Sequence, residues 1–92
     1  MRDWRSVLEL RWDAPVYVSI DLDGLDPSCA PGVSHHEPGG LGVRDVLDTL
    51  WSVDAAIVGA DVVELNPTRD LHDMTAMVAA KLAKELAARM LA

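Results

Sequence analysis

Residues 19–40 read SIDLDGLDPSCAPGVSHHEPGG, and this stretch decides how the rest of the chain is arranged. The apolar run VYVSI begins a predicted β-strand at about 16–22, which carries Asp21 and leads into Asp23. Because side chains alternate along a strand, we expect both carboxylates to lie on the same side of it. Their like charges repel unless a cation lies between them, and hard divalent cations prefer oxygen ligands. The pair therefore predicts a metal site that suits manganese or magnesium better than zinc.

The loop that follows, at about 24–41, is rich in residues that favour turns. These are Gly24, Pro27, Pro31, Gly32, Pro38, Gly39 and Gly40. Prolines fix φ and glycines permit positive φ, so a long loop of this composition can be rigid without being regular. A rigid loop after the end of a strand is a suitable frame for a functional site.

The remaining sequence predicts helices and a second strand in alternation. Apolar residues at helical spacing predict a helix at about 3–11, with Asp3 as its N-cap, a second at about 42–53, and a third from about 71 or 73 to 90. A nearly continuous apolar run predicts a strand at about 56–64. Strand–helix–strand order implies a parallel pair joined by a right-handed crossover, and hence an α/β fold. Strands this apolar are typical of sheets covered on both faces, so we expect neighbouring strands that this sequence does not supply.

Acidic residues lie at the ends of both predicted strands. Asp21 and Asp23 lie at the end of the first strand, and Asp61 and Glu64 lie at the end of the second. In a parallel sheet, sites gather outside the carboxyl ends of the strands, so neighbouring strands would bring four carboxylates to one edge. Asp61 is equally compatible with a structural acid that only accepts hydrogen bonds.

Composition and charge exclude several classes of function. The net charge of −7 argues against a nucleic-acid partner, which requires a basic surface. No apolar run approaches the ~18 residues of a membrane span, and the first residues do not resemble a secretory signal. The single cysteine, Cys29, allows no internal disulfide, which fits a reducing compartment, and we expect a cytoplasmic location. Cys29 lies in a turn between two prolines, so we interpret it as a passive loop residue.

Several of these segments resemble the ureohydrolases, the family that includes arginase, agmatinase and guanidinobutyrase. The segment SIDLDGLDP, the later APG and the glycines at the far end of the loop resemble the first signature of that family. ADVVELNP at 60–67 resembles a second motif, and MTAMVAAK at 74–81 resembles the final helix of the agmatinase-like arginases of plants and bacteria. The similarity covers about 14–90 and corresponds to the C-terminal third of the family's three-layer α/β/α arginase-like fold.

The resemblance implies manganese-dependent hydrolysis of a guanidino compound, agmatine or arginine, to urea and an amine. The complete family site holds two manganese ions that activate the attacking water. By motif match, Asp21 would bridge the two ions, Asp23 would bind one of them, and Glu64 would face the substrate guanidinium. A carboxylate is a natural bidentate partner for that planar group. His35 would line the substrate entrance, with a solvated loop histidine as the alternative.

Other parts of the family site have no counterpart in this sequence. They are a histidine and an Asp-x-His-x-Asp segment among the metal ligands, and a proton-shuttling histidine. We therefore expect residues 1–92 to be a single partial ureohydrolase domain with an incomplete catalytic set, and the full-length form to be a homo-oligomer with no nucleic-acid or membrane partner. The alternative is a non-catalytic fragment that associates with a complete homologue or another partner through its uncovered sheet. A third hypothesis, a magnesium-dependent phosphotransfer domain built on Asp-x-Asp, lacks a glycine-rich phosphate loop.

Overall fold

Two parallel strands lie at the centre of the structure, a computed structural model that describes residues 4–92. Strand β1 (Val16–Asp21) is followed by helix α1 (Val43–Ser52), strand β2 (Ile57–Val63) and helix α2 (Met74–Leu91). β1 and β2 pair in parallel, with α1 in the crossover between them. The predicted α/β arrangement with parallel strands is therefore confirmed.

Three short 3-10 helices complete the described chain, at Trp4–Glu9, Leu22–Gly24 and Pro67–Arg69. The first of them replaces the helix predicted at about 3–11, and it ends at Glu9. Only six residues take part, which is too few to sustain an α-helix without strong packing or caps. The predicted N-cap, Asp3, lies outside the described residues.

Each strand ends one residue earlier than its sequence predicts, and each for a local reason. β1 ends at Asp21 because Asp21 caps the following 3-10 helix, and its Oδ1 accepts the Asp23 N–H at 2.9 Å. β2 ends at Val63 because Glu64 has a φ of 75°, which lies in the left-handed region and outside the β region. The two departures from extended geometry lie at the same edge of the sheet.

The core lies between one face of the sheet, the two α-helices and the first part of the loop. Its buried members are Ile20, Leu22, Leu25, Ala30, Val33, Leu47, Leu50, Ile57, Leu82 and Leu86. Leu47 and Leu50 come from α1, and Leu82 and Leu86 come from α2, so the predicted apolar stripes on one face of each helix are confirmed. The strands also carry exposed residues: Tyr17 is 61% exposed and Val58 is 66% exposed. Among residues 4–92, no helix is long and apolar enough to cross a membrane.

The loop is joined to the start of α2 by buried polar contacts. The Gly32 N–H donates to Oγ1 of Thr75 at 2.7 Å, and Thr75 is fully buried. Asp70, which lies before α2, accepts the N–H groups of Thr75 at 2.9 Å and Ala76 at 3.0 Å. Burial raises the pKa of Asp70, but the hydrogen bonds from Thr75 and Ala76 outweigh it, so the pKa is lowered overall. Asp70 therefore caps α2 as a carboxylate, whereas the N-cap residue Asp73 makes no side-chain cap.

We expect Gly32→Ala to destabilise the protein, because an added Cβ would lie 2.8 Å from Cγ of Asp70 and 2.9 Å from Oγ1 of Thr75. Overpacking of this kind lowers the free energy of unfolding by about 1–3 kcal/mol. Gly24→Ala is the matched control, since nothing lies within 4 Å of the Cβ that it adds. Its effect should stay within about 1 kcal/mol. Urea unfolding monitored by circular dichroism measures the free energy of unfolding of both variants. Equal losses in the two variants would contradict the close packing of Asp70 and Thr75 against Gly32.

Candidate metal and substrate site

The two strand ends lie side by side, as a site at the sheet edge requires. Asp21 is paired in register with Val63, so Glu64 comes directly after the residue opposite Asp21. A parallel ladder fixes this alignment, because a slip of one residue would turn every side chain to the other face. The acidic ends of β1 and β2 therefore share one edge.

Asp21 and Asp23 are related by a turn and not by strand alternation. The sequence predicted that the strand would run to about residue 22 and keep both side chains on one side, but residues 22–24 form a 3-10 helix. Leu22, the first residue of this turn, is fully buried in the core directly after β1. The Asp21 carboxylate accepts the Asp23 N–H, which fixes the backbone between the two acids.

The Asp23 carboxylate contains a buried oxygen without a hydrogen-bond partner. Among the side chains of residues 5–92, Oδ1 of Asp23 is the one buried oxygen or nitrogen that has no hydrogen-bond partner. Its other oxygen, Oδ2, lies 4.0 Å from Nδ1 of His35. A buried, unpaired carboxylate oxygen is unfavourable unless a cation or donor satisfies it, so its chemistry fits a divalent metal ligand.

Asp21 and Asp23 make up only part of a ligand set. No group of three or more His, Cys, Asp and Glu side chains within the described part of the chain is arranged to hold a metal ion. Two carboxylates fall short of the six or so oxygen ligands that a hard divalent cation takes. Asp21 and Asp23 therefore remain predicted ligands that need further groups.

Glu64 occupies an exposed, conformationally strained position at the end of β2. A φ of 75° is unusual for a residue that is not glycine, asparagine or aspartate. Such a conformation persists only where surrounding contacts hold it, and strain of this kind clusters at functional sites. Asn66 provides one such contact, because its N–H donates to the Gly32 carbonyl at 2.7 Å. The predicted substrate-facing role of Glu64 is compatible with this placement.

Asp61 has a structural role, which was one of the two alternatives left open by the sequence. It lies opposite Ser19 in the sheet register and accepts hydrogen bonds from Oγ of Ser19 at 2.6 Å and from the Tyr17 hydroxyl at 2.8 Å. These bonds, from Ser19 first and then Tyr17, lower the pKa of Asp61. The bond to Asp61 in turn raises the pKa of Tyr17. Asp61 therefore joins the two strands as a hydrogen-bonded carboxylate.

Asp26 closes the loop, and sequence reasoning missed this role. Its Oδ1 accepts the N–H groups of Gly39 at 2.8 Å and Gly40 at 3.2 Å, and its Oδ2 accepts the Ser28 N–H at 2.9 Å. Its backbone N–H also donates to the Leu41 carbonyl at 2.8 Å. The available signal was Asp-Pro-Ser, an Asx-turn pattern, with a Gly-Gly pair at the other end of the loop. One carboxylate thus joins the two ends of the segment that frames the site.

The two adjacent histidines have different surroundings. Nε2 of His36 lies 2.6 Å from the Pro31 carbonyl oxygen, a hydrogen bond within the loop. The His35 side chain is 86% exposed and lies beside Asp23. Cys29 is partly buried, with Sγ 3.3 Å from the Asp26 carbonyl oxygen, as expected for a passive loop residue.

Fold and site together define an α/β protein with a carboxylate site at the carboxyl edge of parallel strands. Residues 3–88 match the family described as the Arginase family. The chain therefore belongs to the arginase family, as the resemblance to ureohydrolases predicted.

Relatives and solved structures agree with this assignment. The chain is 67% identical to a mitochondrial arginase of Medicago truncatula over 76 residues, which is 82% of this chain and 22% of that protein. It is 47% identical to an agmatinase of Chromobacterium violaceum over 75 residues, covering 80% and 23% of the two chains. The solved Medicago truncatula arginase superimposes with a TM-score of 0.79 over 82% of this chain and 24% of that one. An arginase-like protein of T. brucei in an oxidized form is 34% identical. It superimposes with a TM-score of 0.86 over 95% of this chain and 30% of that one. The chain thus spans about a fifth to a third of the length of each.

We expect the loop to loosen in acid as Asp26 becomes protonated. Hydrogen bonds from the Ser28 side chain and backbone, and from the N–H of Gly39 and Gly40, lower the pKa of Asp26 to about 2. Because the folded pKa lies below the unfolded value of about 3.9, this stabilisation is present above about pH 4 and is lost as pH falls through about 2. Amide exchange of Gly39 and Gly40, followed by NMR, should accelerate relative to core amides over that range.

Asp26→Ala provides the control for this titration. The variant should show fast exchange at Gly39 and Gly40 at every pH between 2 and 6, because the acceptor is absent. Asp48→Ala, on the exposed side of α1, should behave like the wild type. Unchanged protection of the two glycines in Asp26→Ala would show that other contacts close the loop.

Proposed function

We propose that this chain carries part of the active site of a manganese-dependent ureohydrolase that converts agmatine or arginine to urea and an amine. Asp21 and Asp23 are the proposed manganese ligands, and Glu64 and His35 are the proposed substrate contacts. The observation that carries the proposal is the buried, unpaired Oδ1 of Asp23 at the edge where β1 and β2 end. A relative named arginase, 67% identical, and one named agmatinase, 47% identical, support these two substrates.

The side chains of the site are suited to a cationic substrate and a divalent ion. Manganese, when bound, lowers the pKa of a coordinated water and so makes a nucleophile available at neutral pH. Asp21 and Asp23 offset the positive charge of the ion through carboxylate oxygens. Glu64 accepts two parallel N–H bonds from the planar guanidinium and so fixes its orientation. His35 offers a donor or an acceptor at the exposed side of Asp23.

The net charge of −7 favours the same substrates. An acidic surface raises the local concentration of cations and speeds their association at low ionic strength. Agmatine and arginine both carry a guanidinium, and the described residues contain no feature that separates the two. The substrate class is therefore proposed as a guanidinium compound with a linear chain.

We expect manganese to bind the isolated chain weakly and at Asp21 and Asp23. Mn²⁺ should broaden the amide signals of residues 21–25 most strongly in ¹H–¹⁵N spectra, because paramagnetic relaxation falls steeply with distance. Asp21→Asn or Asp23→Asn should lower the affinity for Mn²⁺ about tenfold or more, since the loss of even an outer-shell partner lowers metal affinity by about 10–100-fold. Asp48→Asn, an exposed acid on α1, is the matched control.

The completeness of this ligand set is tested separately by dialysis. Because it offers only two carboxylate ligands, the chain should lose manganese on dialysis. An inductively coupled plasma measurement gives the amount of metal that the chain retains. Near-stoichiometric manganese after dialysis would contradict an incomplete site. Broadening centred away from Asp21 and Asp23 would contradict the assignment of the ligands.

We expect Glu64→Gln to weaken guanidinium binding, because a charge-assisted pair becomes neutral. Hydrogen bonds to charged groups contribute about 1.5–3 kcal/mol, so the half-saturation concentration of agmatine should rise about tenfold or more. Chemical-shift titration of the Glu64 and His35 amides measures the effect, with Glu9→Gln as the control for removing an exposed acid. Equal affinities in Glu64→Gln and the wild type would rule out Glu64 as the guanidinium partner.

A second candidate function is supported by the exposed apolar residues of the sheet. Tyr17 and Val58 are more than half exposed, and β1 and β2 form a sheet of two strands within the described chain. A two-stranded sheet with exposed apolar residues is suited to association, so the chain is alternatively a non-catalytic module that binds a complete homologue. Val58→Lys should then abolish co-elution with a full-length arginase, whereas Met77→Lys, at a similarly exposed site on α2, should not. Urea release by the purified chain would favour the enzymatic proposal.

A further inference from the structure

Packing contributes little to the position of the His35 ring. Its side chain is 86% exposed, and its polar contact within residues 4–92 is the 4.0 Å approach to Oδ2 of Asp23. A side chain with so little surface buried gains little from apolar contact. The ring can stay near Asp23 only if the loop that carries it is fixed.

The residues on both sides of His35 are held by hydrogen bonds. Ser34 accepts two of them: Nδ2 of Asn66 donates to its Oγ at 3.0 Å, and Nη1 of Arg69 donates to its carbonyl at 3.2 Å. On the other side, Nε2 of His36 lies 2.6 Å from the Pro31 carbonyl. The contacts to Ser34 come from outside the loop, whereas that of His36 is internal to it. The position of His35 in the fold therefore depends on Asn66 and Arg69.

The same two residues fix the segment that begins with Glu64. The Asn66 N–H donates to the Gly32 carbonyl at 2.7 Å. Oδ1 of Asn66 accepts the Thr68 N–H at 3.1 Å, which caps the short helix Pro67–Arg69 and orients Arg69. The segment after β2 and the loop after β1 are thus joined at three points, all between residues 32–34 and 66–69. Glu64 lies two residues before the first of them.

We propose that Asn66 and Arg69 are positioning residues that hold His35 beside Asp23 and couple it to Glu64. We define the hydrogen bonds from Asn66 and Arg69 to Gly32 and Ser34 as the loop clamp. The role in substrate binding rests on the proposed function, in which His35 and Glu64 contact a guanidinium compound. The clamp orders both contacts before the ligand arrives, so that binding does not have to order them.

The test uses the full 92-residue chain labelled with ¹⁵N, and the variants Asn66→Ala, Arg69→Ala and Asn66→Ala/Arg69→Ala. Arg44→Ala is the matched control, because it removes an exposed arginine from α1. Arg69→Lys is the conservative variant, since a lysine can still donate one hydrogen bond to the Ser34 carbonyl. Ser34→Ala removes the acceptor of Asn66 and leaves the rest of the segment unchanged, which keeps the test valid if Asn66→Ala does not fold.

The first readout is the order of the loop. In the wild type and Arg44→Ala, we expect backbone order parameters of about 0.85 at Ser34 and His35. In the double variant these order parameters should fall below about 0.6. Ser34→Ala should lower them partly, and Arg69→Lys should keep them higher than Arg69→Ala does. The midpoint of thermal unfolding should shift by no more than about 4 °C, because the clamp lies at the surface. Unchanged order at His35 in the double variant and in Ser34→Ala would overturn the proposal, and so would a loss of global folding in every clamp variant.

The second readout is binding of agmatine, which separates this proposal from the proposed function. If agmatine shifts the Glu64 and His35 signals of the wild type, the double variant should raise the half-saturation concentration by about 2- to 10-fold, the cost of ordering the side chains on binding. If the double variant has a disordered His35 but the same half-saturation concentration for agmatine as the wild type, the proposed link between the loop clamp and substrate binding is wrong. If the wild type shows no response to agmatine, the proposed function fails at these residues, and the order parameters still decide whether Asn66 and Arg69 position His35.

Discussion

The parallel register of β1 and β2 is the constraint on which the rest of the structure depends. It places Asp21 opposite Val63, and it brings the turn after β1 next to the turn after β2. Asp21 ends β1, and Asp23, Glu64 and His35 lie on one of those two turns or on the loop that leaves the first. Asp61 supports the register from within, because it accepts hydrogen bonds from Tyr17 and Ser19 across the strand pair. The pairing itself therefore brings the acidic ends of both strands to the edge at which sites gather in parallel sheets.

Four aspartates of the described chain differ in how their oxygens are satisfied. Asp26, Asp61 and Asp70 each accept two or more hydrogen bonds, and the pKa of each is lowered. These three close the loop, join the strands and cap α2. Asp23, in contrast, leaves a buried oxygen without a donor. Since buried polar groups are normally paired, this difference separates a candidate metal ligand from structural acids in a chain with a net charge of −7.

Polar contacts at defined points connect the long loop to itself and to the rest of the fold, and its turn-rich composition alone does not specify them. Asp26 joins its two ends, Gly32 contacts the buried Thr75, and Ser34 is held by Asn66 and Arg69. Prolines reduce the conformations open to the unfolded chain, but they do not specify which folded conformation results. The hydrogen-bond partners come from residues 13 to 43 positions away, and local sequence gives little sign of them.

The sequence by itself determined the α/β class, the order of strands and helices, the apolar stripes of α1 and α2, and the family, because periodicity and motif spacing are local properties. It also identified Asp21, Asp23, Glu64 and His35 as candidates. Only the tertiary structure decided that Asp23 follows a 3-10 turn and not a continuing strand, that Asp61 is structural, and that Asp26 and Asn66 fix the loop. Those outcomes depend on burial and on hydrogen bonds between residues far apart in sequence. Such contacts exist only once the chain has folded.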